Sequence, residues 1–142
     1  MTAVFELDDD PKRIQLASIT NWLTSHAYWA RWRTDADIGA QVSGAWRVVG
    51  AYSTATGELI GFARAVSDGV AFAYLADVFV VDEFRGHGIG KALINRMIDE
   101  GPGSDFRWTL FTSDAHGLYE QYGFVAPDST AMVRPAARPA IG

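Results

Sequence analysis

The feature that most constrains this chain is a glycine-rich turn between an apolar strand pattern and a helical pattern. Leu75–Val81 is followed, three residues later, by Arg85-Gly86-His87-Gly88-Ile89-Gly90-Lys91. Glycines at such a junction permit positive φ and let the backbone approach a ligand closely. The first turn of the following helix has unpaired N–H groups and the positive end of the helix dipole. We therefore predict an anion site here, to which Arg85 and Lys91 add charge.

Two common phosphate-binding patterns do not match this turn. The dinucleotide pattern Gly-x-Gly-x-x-Gly, counted from Gly86, requires a third glycine where the chain has Lys91. The P-loop pattern requires Gly-Lys-Ser/Thr, whereas Gly90-Lys91 is followed by Ala92. A purely structural reversal of the chain is the alternative. The two flanking cations favour the anion site.

Three apolar segments separated by short turns predict an antiparallel meander. They are Trp46–Tyr52, Leu59–Val66 and Val70–Val81. A fourth strand, Phe106–Phe111, must run parallel to the third, because strand–helix–strand crossovers are parallel and right-handed. The expected fold class is therefore α/β (α+β), with a mixed, mostly antiparallel sheet that has one parallel crossover. The segments Phe124-Val125 and Ala131–Val133 are predicted to supply one or two edge strands.

Helices are predicted to flank this sheet. Their expected spans are Pro11 to about Thr24, Thr34 or Asp35 to Val42, Gly88 to about Glu100, and Asp114 to Tyr122. Residues 1–142 are predicted to form a single domain, with helices over 1–44, a sheet region over 45–134 and a tail over 135–142. Strand alternation is expected to place Leu75, Asp77, Phe79 and Val81 on one face of the sheet.

Composition excludes several classes of function. The 142 residues include no cysteine, which excludes disulfides, thiolate metal sites and a cysteine nucleophile. A net charge of −5 argues against nonspecific binding to nucleic acid. No window approaches the roughly 18 apolar residues that span a bilayer, and Met1–Asp10 is acidic where a signal peptide is basic. We expect a cytoplasmic protein with no membrane partner and, because His26 and His116 lack companion ligands, no metal.

Two blocks of the sequence resemble the GNAT superfamily of N-acetyltransferases. Val78-Phe79-Val80 followed by Arg85–Gly90 is similar to the family's cofactor motif, Arg/Gln-x-x-Gly-x-Gly/Ala. Asp114–Phe124 resembles the family's later Leu-Tyr-x-x-x-Gly-Phe signature, and the resemblance covers about Ala45–Val133. It implies an enzyme that transfers an acetyl group directly from acetyl-CoA to a primary amine, expected to be a small molecule. The alternatives are a protein N-terminal or lysine acetyltransferase and a CoA-binding module without catalysis.

The resemblance also implies roles for individual residues. The backbone of Val78, Phe79 and Val80 would bond the pantetheine arm. Amides of the turn would hold the pyrophosphate, and the turn residues are Arg85, Gly86, His87, Gly88, Ile89, Gly90 and Lys91. Tyr119 matches the tyrosine that protonates the departing sulfur, with a packed core aromatic as the alternative. Thr112 stands where many relatives have an Asn that contacts the cofactor.

The acceptor side of the predicted site is defined by fewer residues. Asp77 is a candidate general base, because relatives often have an acidic or polar group on this strand, and burial would raise its pKa. A carboxylate bonded to a nearby amide is the alternative. Tyr28 and Trp29 are candidate substrate contacts, since the family's early helices cover the acceptor, although tryptophan commonly packs in cores. The acidic balance slightly favours a cationic acceptor, and an open sheet edge allows a homodimer.

Overall fold

The computed structural model describes residues 3–26 and 33–137, and it contains one five-stranded sheet in the order β1-β2-β3-β4-β5. The strands are β1 Phe5–Asp8, β2 Arg47–Ser53, β3 Leu59–Ser67, β4 Phe72–Val80 and β5 Arg107–Thr109. Neighbours from β1 to β4 are antiparallel, whereas β4 and β5 are parallel. The predicted mostly antiparallel sheet with one parallel crossover is confirmed.

Helices cover both faces of this sheet. They are α1 Leu16–His26, α2 Asp35–Ser43, α3 Ile89–Met97 and α4 His116–Glu120, and short 3-10 turns occur at Pro11–Arg13 and Asp82–Phe84. On one face, here called the α1 face, Ile19 and Ile38 pack with Phe62. On the other, the α3 face, Leu93 packs with Val49. None of the helices within 3–26 and 33–137 is long and apolar enough to cross a membrane.

A β-bulge interrupts β4 at Asp77. Phe62 of β3 pairs with Phe79 while Arg64 pairs with Ala76, so β4 contains one extra residue between these pairs. Asp77 has a φ of 53° and is the one non-glycine residue with positive φ in the described part of the chain. Leu75 consequently packs in the α3-face core and Phe79 in the α1-face core. The prediction that Leu75, Asp77, Phe79 and Val81 share a face is wrong, because a bulge inverts the alternation.

Both ends of the chain differ from the prediction. The first predicted helix is divided: Asp10 caps the 3-10 turn by accepting from the Lys12 amide at 2.9 Å, and α1 begins only at Leu16. β1 precedes it and was not predicted. Within the described residues 124–137 there is no strand, so the expected edge strands are wrong. Val125 and Met132 are 85% and 95% exposed, so the segment beyond Phe124 has no buried face to fix a strand register.

Candidate active site

A gap opens in the sheet between β4 and β5. The two strands pair at only three positions, the last of which joins Tyr74 to Thr109. β4 stays paired with β3 as far as Val80, so it continues as a strand after β5 has ended. Among the described residues, no residue of β4 beyond Tyr74 pairs with β5, so the edge from Ala76 to Val80 is open on that side. The free backbone groups of such an edge can bond an extended ligand.

The glycine turn, residues 85–91, lies just beyond the end of β4. Gly86 and Gly88 have φ values of 89° and 76°, and Gly88 is the N-cap of α3 without a side-chain cap. A Cβ built at either glycine meets no atom within 4 Å, so the space in front of the turn is open. Within the described chain, the amides from Gly86 to Lys91 donate to no protein acceptor. The predicted anion site therefore has its donors in place.

The positions of the side chains in the turn indicate that the site is formed mainly by backbone groups. Ile89 is 1% exposed and anchors α3 in the core. Arg85 and His87 are exposed, and Arg85 forms an ion pair of 3.1 Å with Asp82. Lys91 is also exposed on the first turn of α3. The amides can thus meet a ligand without displacing any buried side chain.

Helix α4 is held close to this turn. The Tyr122 hydroxyl donates to the Lys91 carbonyl at 3.0 Å and so joins α4 to the start of α3. Tyr119 is half-buried against the α3-face core, with its ring edge-on to Phe124 at 5.8 Å. Its hydroxyl bonds to no described residue. Burial raises the pKa of Tyr119, and the charge of Asp114 acts in the same direction, so the phenol is a proton donor at neutral pH.

Thr112 stabilises the turn that leads into α4. Its hydroxyl oxygen accepts from the amides of Ala115 at 3.1 Å and Asp114 at 3.4 Å. The expectation that the helix begins at Asp114 is wrong, because the acceptor for these amides is Thr112 and α4 begins at His116. The hydroxyl proton is still available, so the predicted contact between Thr112 and a cofactor stays a prediction.

We expect Thr112→Val to lower the free energy of unfolding by about 1 kcal/mol, the usual net contribution of a hydrogen bond from a side chain to the backbone. Thr112→Ser keeps the oxygen and should retain nearly the stability of the wild type. Urea unfolding of the three proteins measures the difference. Equal stability of the valine and serine variants would show that the hydroxyl does not stabilise α4.

Asp77 lies in a buried ionic cluster, here called the arginine cluster, formed by Arg33, Arg64 and Asp77. Arg33 donates from Nη1 and Nη2 to the two carboxylate oxygens at 2.9 and 3.0 Å, and Arg64 Nε donates to Oδ2 at 2.7 Å. Burial by itself raises the pKa of Asp77, but the hydrogen bond from Arg33 and the charge of Arg64 outweigh it and hold this pKa below its usual value. The expected rise in the pKa is wrong. The role of Asp77 as a base stays a prediction, which this geometry disfavours because guanidinium donors occupy both oxygens.

The two arginines were not singled out as site residues from the sequence. Arg64 is the one charged residue in the apolar stretch Leu59–Val66, which is a signal that a buried partner is needed. Arg33 ends an aromatic and basic segment and offers no comparable signal. Tyr28 and Trp29, the predicted substrate contacts, lie outside the described residues. Among those that are described, no group of three or more His, Cys, Asp or Glu side chains could hold a metal ion.

Residues 45–126 match the family model of the acetyltransferase (GNAT) domain. This match spans more than half of the chain and includes the gap, the glycine turn and α4. The chain belongs to the GNAT acetyltransferase family. The predicted family resemblance is thus confirmed.

The chain is also similar to individual proteins and solved structures. A protein from Xanthomonas campestris assigned to the GNAT family is 32% identical, with a TM-score of 0.85 and coverage of 93% of both chains. A structure from Deinococcus radiodurans, at 22% identity and a TM-score of 0.69, shares the fold over 93% of this chain and 90% of its own. An uncharacterised N-acetyltransferase, ycf52, of Pyropia yezoensis is 36% identical over 73 residues, which are 50% of this chain and 42% of that protein. The chain therefore spans about two fifths of that curated relative.

Proposed function

We propose that this chain is an N-acetyltransferase that moves the acetyl group of acetyl-CoA directly to the primary amine of a small molecule. The observation that carries the proposal is the set of free amides at the glycine turn, next to an open strand edge and to the helix of Tyr119. Family membership supports acetyl-CoA as the co-substrate. The Gly-rich turn and the gap supply the two kinds of contact that a nucleotide with a long amide-containing arm requires.

The residues of the site fit both the pyrophosphate and the pantetheine arm of such a donor. Amides from Gly86 to Lys91 would bond the pyrophosphate, and the positive end of the α3 dipole would add to the attraction. The free edge of β4 around Val78–Val80 would bond the amide groups of the pantetheine arm in the manner of an added strand. Val78 and Val80 also belong to the α3-face packing, so their side chains give this arm an apolar wall.

Direct transfer requires one proton donor from the chain. The thioester supplies an activated acetyl group, the amine nitrogen forms the new C–N bond, and the C–S bond breaks. Tyr119 would donate its phenolic proton to the departing sulfur and recover a proton from solvent, while the amine releases its own proton to water. Direct transfer needs no covalent enzyme intermediate, which suits a chain without cysteine, and it requires both substrates to be bound together in a ternary complex.

The experiment that tests the proposal separates donor binding from transfer. Calorimetry with CoA measures binding, and release of free thiol from acetyl-CoA is followed with a panel of small amines, peptides with free N-termini and lysine peptides. We expect CoA binding and acetylation of a small amine. Binding without thiol release would identify a non-catalytic CoA-binding module, and acetylation of peptides alone would identify a protein acetyltransferase. Absence of CoA binding would reject all three functions.

We expect Tyr119→Phe to lower turnover by roughly 100-fold or more, the scale of a lost general acid, while CoA affinity is nearly unchanged. Tyr122→Phe is the matched control, because it removes a hydroxyl three residues away that donates to the Lys91 carbonyl. Steady-state kinetics and calorimetry on both variants give the comparison. Parallel losses of turnover and CoA affinity in Tyr119→Phe would mean that the hydroxyl only supports the structure of the site.

A further inference from the structure

The arginine cluster has one positive charge more than it can neutralise internally. Two guanidinium groups share the single carboxylate of Asp77. The side chains of Arg33, Arg64 and Asp77 are only 4%, 7% and 7% exposed. A buried charge without a counter-ion is costly, and buried ions in proteins are normally paired. The surplus therefore calls for an anion.

The described residues around the cluster do not supply that anion. Arg33 Nη1 also donates to the neutral Gln41 oxygen at 2.7 Å, and Arg33 Nε is buried without a partner. The two terminal nitrogens of Arg64 have no hydrogen-bond partner in the described ranges. No other described carboxylate lies within 4 Å of either guanidinium. Residues 27–32, which connect α1 to α2 in the sequence, contain no Asp or Glu.

The cluster lies where an acceptor would approach the gap. Asp77 is at the bulge of β4, three residues after Tyr74, the last residue that pairs with β5. Arg64 and Tyr74 lie on the α1 face by strand alternation, opposite the α3 face on which Tyr119 packs. Phe111, beyond the end of β5, is 68% exposed and its ring centroid is 6.0 Å from that of Tyr74. Tyr74 thus lies beside both Phe111 and the arginine cluster, at the point where the gap between β4 and β5 begins.

We propose that the acceptor carries, besides its amine, an anionic group that binds to Arg64 at the α1-face opening of the gap. The inference rests on the proposed acetyltransferase function and names its substrate class. A carboxylate or a phosphate ester would bring the cluster to neutrality, and guanidinium groups bond both with charge-assisted hydrogen bonds. The exposed face of Phe111 would contact the apolar part of the same molecule. The local positive charge of the cluster thus predicts an acceptor with an anionic group, whereas the acidic net charge of the whole chain favours a cationic acceptor.

Matched acceptors test the inference on the wild-type protein. Calorimetry with the CoA-loaded protein compares amino acids that have apolar side chains with their carboxamides and with aminoalkyl phosphates. We expect the anionic members to bind at least roughly ten times more tightly than the carboxamides, because a hydrogen bond to a charged group is lost. The comparison of the amino acids with the aminoalkyl phosphates shows whether the site binds a carboxylate or a phosphate ester. Equal binding of carboxamides, or no binding of any anionic member, would overturn the inference.

The same panel separates this inference from the proposed function. If uncharged amines release thiol from acetyl-CoA as fast as anionic ones, the function stands and the anionic acceptor is rejected. If no amine releases thiol, the function fails, and calorimetry still reports which acceptors bind. Both thiol release and calorimetry are measured on the wild-type protein.

Arg64→Met then tests the residue itself. It leaves Arg33 and Asp77 as a balanced pair, so we expect the fold and CoA affinity to be retained. The KM for the anionic acceptor should rise roughly 10- to 100-fold, whereas the KM for its carboxamide should not change. Arg96→Met is the control, because it removes the same charge from a residue of α3 that forms an ion pair with Glu100, beyond the end of the helix. Equal increases in KM for both acceptors would show that Arg64 only supports the sheet.

Discussion

Replacing Gly88 with valine should reduce CoA affinity at least roughly 100-fold, because several bonds from the turn's amides to the pyrophosphate are lost together. The branched side chain would fill the open space in front of those amides, where a Cβ now meets no atom within 4 Å. The φ of 76° at this position adds backbone strain of about 1–2 kcal/mol for a non-glycine residue. Isothermal calorimetry with CoA measures the loss, and circular dichroism shows whether the sheet persists.

Gly57 provides the matched control for this strain. It has a φ of 74° and equally open surroundings, but it lies in the turn between β2 and β3. Gly57→Val should therefore lower the free energy of unfolding about as much as Gly88→Val and leave CoA affinity intact. Similar losses of affinity in both variants would trace the effect to stability. Normal affinity in Gly88→Val would place the pyrophosphate somewhere other than the glycine turn.

Replacing Asp77 with asparagine should destabilise the fold by about 3–5 kcal/mol, the cost of removing one partner from a buried ionic group. Both guanidiniums would then be buried without any anion. Because the pKa of Asp77 is lowered in the folded state, its stabilisation is present above the ordinary aspartate pKa of 3.8 and is lost as the pH falls through the lower folded pKa. The difference from the wild type should therefore shrink in acid. Urea unfolding at neutral and acidic pH measures it.

Two comparisons give this prediction its specificity. Arg64→Met should be far less destabilising than Asp77→Asn, because it leaves one cation paired with one anion. An Asp77→Asn protein that keeps its stability and CoA affinity but loses turnover would identify Asp77 as the general base. The structure leads us to expect the opposite result, since three guanidinium nitrogens already occupy the carboxylate.

The parts of the fold that were predicted correctly depend on local signals. Alternation and turn residues indicated β2, β3 and β4, and the glycine turn marked the start of α3 within one residue. The start of α2 at Thr34 or Asp35 was also predicted from local signals, and in the structure Thr34 and Asp37 form a capping pair there. The parallel pairing of β5 followed from the handedness of crossovers. Each of these inferences needs information from only a few neighbouring residues or from a general rule of topology.

The features that were missed depend on distant partners. Arg33 and Asp77 are separated by 44 positions, and only the folded chain brings them together. The bulge at Asp77 is a relation between two strands, and a single strand's pattern of side chains does not reveal it. β1 is a short edge strand whose register is set by its neighbour β2. The lowered pKa of Asp77 therefore could not be inferred from its place in the strand.

The short contact between β4 and β5 has a thermodynamic consequence. Because three residue pairs join these strands, β4 has backbone groups without a strand partner at the gap where the donor is proposed to bind. A donor that bonds to them binds the folded chain and not the unfolded one, so its binding free energy is added to the stability of the protein. The folded fraction would then rise with the concentration of the acyl donor, and a cell depleted of that donor would hold less of the enzyme in a state that resists proteolysis.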